Sequence, residues 1–165
     1  VALSPGHIPF CAEAARRLGW DLDLLLVADI EAPGLSTTPL GFALDTPDPH
    51  LVVDEETARR CKLPPGYLHD TSQHALTEMA RRHRVYFGED DPSSHQLANR
   101  DVILVHGERD MALASIVSDR FERDGAHIVR TLVLPPVEAD EVDETSVAQL
   151  LKEARRFHLQ LHQLH

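Results

Sequence analysis

The feature that most restricts this chain is the order of segments between Asp101 and Pro135. A short apolar run, Asp101-Val-Ile-Leu-Val105, leads into His106-Gly-Glu-Arg-Asp110. From Met111 to Asp124, Leu113, Ile116, Val117 and Phe121 recur at helical spacing and define one apolar face. Gly125 ends that segment, and a second apolar run, His127 to Leu134, stops at Pro135-Pro136. Strand, loop, helix and strand at these lengths make a βαβ unit, whose two strands run parallel. Ligands of such sheets bind beyond the carboxyl ends of the strands, so residues 106–110 are the first place to seek a site.

The rest of the chain extends the alternation. Val1-Ala-Leu-Ser4 reads as a strand turning at Pro5-Gly6-His7, and Pro9 suits the first turn of a helix carrying Phe10, Ala14, Ala15 and Leu18 on one stripe as far as Gly19. Asp23-Leu-Leu-Leu-Val27 reads as a strand buried on both faces. Short strands are expected at Gly41–Leu44 and Leu51–Val53. Asp54 is placed to cap a helix over Glu55–Cys61, and a longer helix spans Tyr67–Tyr86 with Leu68, Ala75, Leu76, Met79 and Ala80 on one side. After the acidic run Glu138–Glu144, Thr145–Arg156 is amphipathic, with Val147, Leu150, Leu151 and Ala154 facing inward, and the alternating tail Phe157–His162 reads as an edge strand. The expectation is one α/β domain over 1–165 with a mostly parallel central sheet flanked by helices, and a small hood or insertion over about 35–95. Because Val1-Ala-Leu3 already reads as core strand, an N-terminal element of the domain is expected to be missing.

Charge and cysteine content narrow the function classes. A formal net charge of -11 opposes contact with nucleic acid phosphates or an anionic membrane surface. No apolar run reaches the length of a membrane span. Cys11 and Cys61 do not form a disulfide framework, which points to a reducing, cytoplasmic setting.

Taken in order, these landmarks resemble the type I phosphoribosyltransferase family, specifically a bacterial group within it. Val1-Ala-Leu-Ser-Pro-Gly-His-Ile-Pro9 is similar to that group's Val-Ala-Leu-Pro-Arg-Gly-Gly-Val-Pro. Ala15-Arg-Arg-Leu-Gly19, Leu22–Val27, Ala32-Pro33-Gly34, Gly41 and Asn99-Arg-Asp-Val-Ile-Leu-Val105 follow at close to the family's spacing. The resemblance implies a phosphoribosyltransferase-like fold and a homodimer. In active members it implies transfer of ribose 5-phosphate from phosphoribosyl pyrophosphate to a nitrogen nucleophile, with Mg²⁺ on the pyrophosphate. The family loop carries an acidic pair for the ribose hydroxyls, then Thr-Gly-x-Thr whose amides cradle the 5′-phosphate at a helix N-terminus.

This chain departs from the family where the chemistry sits. The acidic pair falls on His106 and Gly107, and Thr-Gly-x-Thr falls on Met111, Ala112, Leu113 and Ala114. Asp110 is expected to cap the following helix with its carboxylate on the free amides, where a phosphate would meet a fixed negative charge. It also aligns with the catalytic base of purine-type members. The family's Arg-Gly-Gly turn is here Pro5-Gly6-His7, and its Arg-Lys pair is Ala28-Asp29. Three anion-contacting loops have thus lost cations, hydroxyls or glycine. The expected function is a catalytically degenerate member serving as a binding, interaction or regulatory module for a nucleotide-like or less charged ligand, with no cofactor. The alternative is a divergent transferase using His106, Glu108 and Asp110, with Mg²⁺ if active.

Two further constellations are metal candidates: His158, His162 and His165 at i, i+4 and i+7, and His7 with His106, Glu108 and Asp110 at the strand ends. Each competes with a plainer reading as solvent-facing or loop histidines. The basic cluster Arg81-Arg82-His83-Arg84 sits near a helix C-terminus, where such residues commonly interact with the dipole.

Overall fold

A computed structural model of the chain describes residues 1–33, 39–46, 50–88, 97–134 and 145–153. Helix α1 spans Ile8–Leu18 and strand β1 Val27–Ile30. Strands β2 (Gly41–Leu44) and β3 (His50–Val53) precede helices α2 (Glu55–Arg60) and α3 (Tyr67–Phe87). Strand β4 (Asp101–Gly107), helix α4 (Met111–Arg123) and strand β5 (Ile128–Leu134) form the unit expected from the sequence. A further helix, α5, covers 145–153.

The β4–α4–β5 unit matches the expectation in the order of its elements and in the parallel pairing of its strands. β4 and β5 pair in parallel from Asp101↔Ile128 to Gly107↔Leu134. Leu113, Ala114, Val117 and Phe121 of α4 are buried, and Gly125 turns the chain at φ 93°. These side chains join Leu3, Leu25, Leu97, Val102 and Leu104 in one core cluster. A second cluster lies under α1, α3 and α5, around Ile8, Leu24, Ile30, Met79, Val147 and Leu151.

The sheet differs from the mostly parallel one expected. The ladders are a parallel β4–β5 pair and an antiparallel three-stranded sheet in the order β1-β2-β3. Ala2 makes single parallel bridges to Leu24 and to Val105. Its amide donates to the Asp23 carbonyl at 2.9 Å, and the Leu3 amide donates to the Val105 carbonyl at 3.0 Å. The run at 23–27 is therefore buried without being a continuous strand: Leu24 and Leu25 are fully buried, yet the β1 ladder starts only at Val27. Apolar composition reports burial, and ladder pairing needs backbone partners that composition does not reveal. The segment expected as a hood is not set apart, because β2 pairs with β1 along all four residues and α3 packs against β1.

Two helix faces also need correction. On α1, Phe10 and Leu18 are exposed, whereas Ile8, Cys11 and Ala15 are buried. On α3, Ala80 is exposed and Ser72 and Tyr86 are buried beside Ala75 and Met79. Asp54 caps α2 as expected, its Oδ1 accepting from the amides of Glu56 at 3.0 Å and Thr57 at 3.1 Å. Ala154, the acidic run 138–144 and the tail with His158, His162 and His165 lie outside the described residues.

Candidate functional site

Two of the three loops singled out in the sequence meet in space, and the third, Ala28-Asp29, lies within strand β1. His7 is the last residue of a 3₁₀ turn, Pro5–His7, that Ser4 caps by accepting from the Gly6 amide through its hydroxyl at 3.3 Å. The turn ends directly in α1, which holds the His7 ring inward with only 8% of its surface exposed. A β-carbon on Gly107 would lie 3.7 Å from His7 Cε1 and 3.4 Å from Asp110 Oδ2. The end of β4 thus lies between the imidazole and the carboxylate.

Residues 106–110 are not the open loop expected. β4 continues through Gly107, and Glu108–Asp110 form a 3₁₀ turn that runs straight into α4. His106 is 1% exposed, and its Nδ1 donates to the Gly107 carbonyl at 2.8 Å. That bond puts the proton on Nδ1 and leaves Nε2 as the acceptor in the neutral ring. Asp110 does not cap α4 with its side chain. Its Oδ2 instead accepts from the Gly107 amide at 3.2 Å, folding back over the turn. A carboxylate at this position serves the strand end; the first amides of α4 receive nothing from it.

Electrostatically the cluster is two imidazoles among carboxylates. Burial lowers the pKa of His7 below its ordinary value; the Asp110 carboxylate opposes the shift and the neighbouring His106 adds to it. Asp29, on β1, has its carboxyl pKa raised by partial withdrawal from solvent, then by Asp110 and Glu31, with Arg82 acting against them. Asp29 is therefore within electrostatic range of Asp110. His7 Nδ1 is buried and has no hydrogen-bond partner among the described residues.

The remaining predicted residues fall around this cluster. Met111 is 58% exposed at the start of α4 with Ala112 exposed beside it, while the side chains of Leu113 and Ala114 belong to the core. Ala28 is partly buried against the second core cluster. Glu108 and Arg109 are exposed on the turn. Glu31 and Arg82 belong to the electrostatic neighbourhood although no spacing or motif pairs them with Asp29; α3 brings Arg82 back over β1. Most of the basic cluster on α3 is already engaged. Arg81 and Arg82 both donate to Glu78, at 2.9 Å and 3.0 Å, and His83 Nδ1 lies 2.7 Å from Asp45 Oδ2.

Among the described residues no group of three or more His, Cys, Asp or Glu side chains is arranged to hold a metal ion. Cys11 is a buried free thiol whose pKa burial raises, which leaves it unreactive, and Cys61 is free and partly exposed. No helix among the described residues is long and apolar enough to cross a membrane.

The fold and the cluster together define an α/β protein in which His7 and Asp110 flank the end of β4, with Asp29 of β1 within electrostatic range of Asp110. A crystal structure of TT1426 from Thermus thermophilus is similar to it, with a TM-score of 0.57 and 22% sequence identity over 86% of this chain and 80% of that one. At that identity the likeness shows a shared fold. Neither a protein-family model nor a curated protein matches the chain.

Proposed function

We propose that this chain is a phosphoribosyltransferase-like domain that has lost phosphoribosyl transfer and works as a cytoplasmic binding or regulatory module, as a homodimer. The observation that carries the reading is the packing of His7 and the Asp110 carboxylate about Gly107, where a β-carbon would lie 3.7 Å from His7 Cε1 and 3.4 Å from Asp110 Oδ2, with the Asp29 carboxylate within electrostatic range of Asp110. In the family resemblance these loops would contact pyrophosphate and ribose phosphate. A diphosphate placed there meets two carboxylates and two histidines, one of them held neutral by burial. Arg82, the cation that acts on Asp29, is already bonded to Glu78. Bringing an unpaired polyanion into such surroundings costs several kcal/mol. The cluster suits a ligand that is neutral or carries hydrogen-bond donors for the carboxylates, such as a nucleoside-like molecule without a diphosphate.

The Mg²⁺ that an active member would use travels on the pyrophosphate. The residues present add no dedicated cage for it among the described side chains. Isothermal calorimetry with phosphoribosyl pyrophosphate and Mg²⁺ tests the proposal. The expected result is no binding tighter than about 1 mM. Micromolar binding would restore the alternative, a divergent transferase with Asp110 as base and His106 and Glu108 beside it.

A further inference from the structure

A cavity of about 380 Å³ opens between α1 and α5, within the size range of small-molecule sites, roughly 300–1,000 Å³. Its floor is aliphatic, built from Ala12 and Ala15 of α1 and Leu150 of α5. Trp20 forms one wall. This side chain is the chain's only tryptophan, and it stands 54% exposed. Its backbone is set there because Gly19 leaves the helix at φ 67° and the Trp20 amide donates back to the Ala15 carbonyl at 3.0 Å. An indole so placed, with half its surface open, is unfavourable at a solvated helix end and useful to a ligand.

The charges at the rim are not balanced. Arg16 lines the cavity but is bonded to Glu13, which also accepts from the exposed Arg17, so its charge is met within α1. Glu153, on the α5 side, accepts only from the neutral amide of Gln149, at 2.7 Å, and pairs with no cation among the described residues. An aromatic face, an aliphatic floor and one carboxylate that no described cation pairs with are together the recognition chemistry of an organic cation.

We infer that the α1–α5 cavity binds a small organic cation with apolar bulk, of the quaternary or aromatic ammonium class, its charge set between the Trp20 indole and the Glu153 carboxylate. This site is independent of the proposed loss of phosphoribosyl transfer. The lone tryptophan makes it directly measurable: the full chain is titrated with benzyltrimethylammonium while Trp20 fluorescence is followed. The expected result is a saturable change with a dissociation constant below about 1 mM. Benzyl alcohol, which lacks the charge, should bind about tenfold more weakly, and benzenesulfonate should give no saturable change. By calorimetry, Trp20→Leu should weaken binding about tenfold and Glu153→Gln about threefold. Both positions are exposed enough to vary without unfolding the chain. No saturation with the cation, equal affinity for the neutral or anionic probe, or unchanged affinity in Trp20→Leu would overturn the inference.

Discussion

At the scale of single residues, the cluster trades stability for polarity. Asp29 has its carboxyl pKa raised in the folded chain, so ionising it at neutral pH works against folding. The stabilising contribution of such a group is present below the unfolded pKa and lost as pH rises through the folded one. Asp29→Asn should therefore raise stability at pH 7 by about 0.5 kcal/mol, a small figure because the side chain is exposed and screened. Urea denaturation of both proteins measures it; a destabilised variant would show that the Arg82 contact outweighs the carboxylate repulsion. His7 acts in the other direction. Its folded pKa lies below the ordinary value of 6.5, so the unfolded chain takes up the proton first. The contribution of His7 is complete above pH 6.5 and is lost as pH falls from there through the folded pKa. His7→Gln should flatten the fall in stability as pH drops below 6.5. An unchanged slope would mean that His7 does not remain neutral in the folded chain.

At the scale of elements, β2 is locked to β3 by the absence of a side chain. A β-carbon on Gly41 would land on the carbonyl oxygen of Val52, across the Gly41↔Val53 pairing. Since the obstacle is backbone, it cannot rotate away, and Gly41→Ala should cost about 3 kcal/mol, read as a lower urea midpoint. A neutral effect would contradict the β2–β3 register. The elements also divide by how far the sequence reveals them. β4, α4 and β5 were readable because each declares itself locally, through an apolar run, a helical stripe and the left-handed Gly125. Asp54 was readable for the same reason. The antiparallel β1-β2-β3 sheet was not, since pairing joins residues that the chain separates, and a buried run such as Leu24–Leu26 looks like strand whether or not it is bonded as one. Phe10 and Leu18 misled the α1 stripe because size and apolarity do not fix which side faces the core. Of the residues singled out in the sequence, His7 and Asp110 lie together about Gly107, but the carboxylate of Asp110 turns to the Gly107 amide rather than to α4, a choice between two nearby donors that spacing cannot make.

At the scale of the whole molecule, the chain carries a net charge of -11 and ends its parallel pair on β5. Ile128, Leu132 and Val133 on that strand are between 37% and 41% exposed, and among the described residues β5 pairs with β4 alone. Apolar strand edges of this kind favour association, and most soluble oligomers are two-fold. Light scattering should return the mass of a dimer of the 18.4 kDa chain; a monomer across the micromolar range would remove the homodimer from the proposal. The central claim concerns anions, and it is tested most directly where a phosphate would have to sit. In ¹H–¹⁵N correlation spectra, the amides of residues 111–114 should show no saturable shift as inorganic phosphate, and then phosphoribosyl pyrophosphate with Mg²⁺, are added. A saturable shift of those amides at micromolar ligand would contradict the claim.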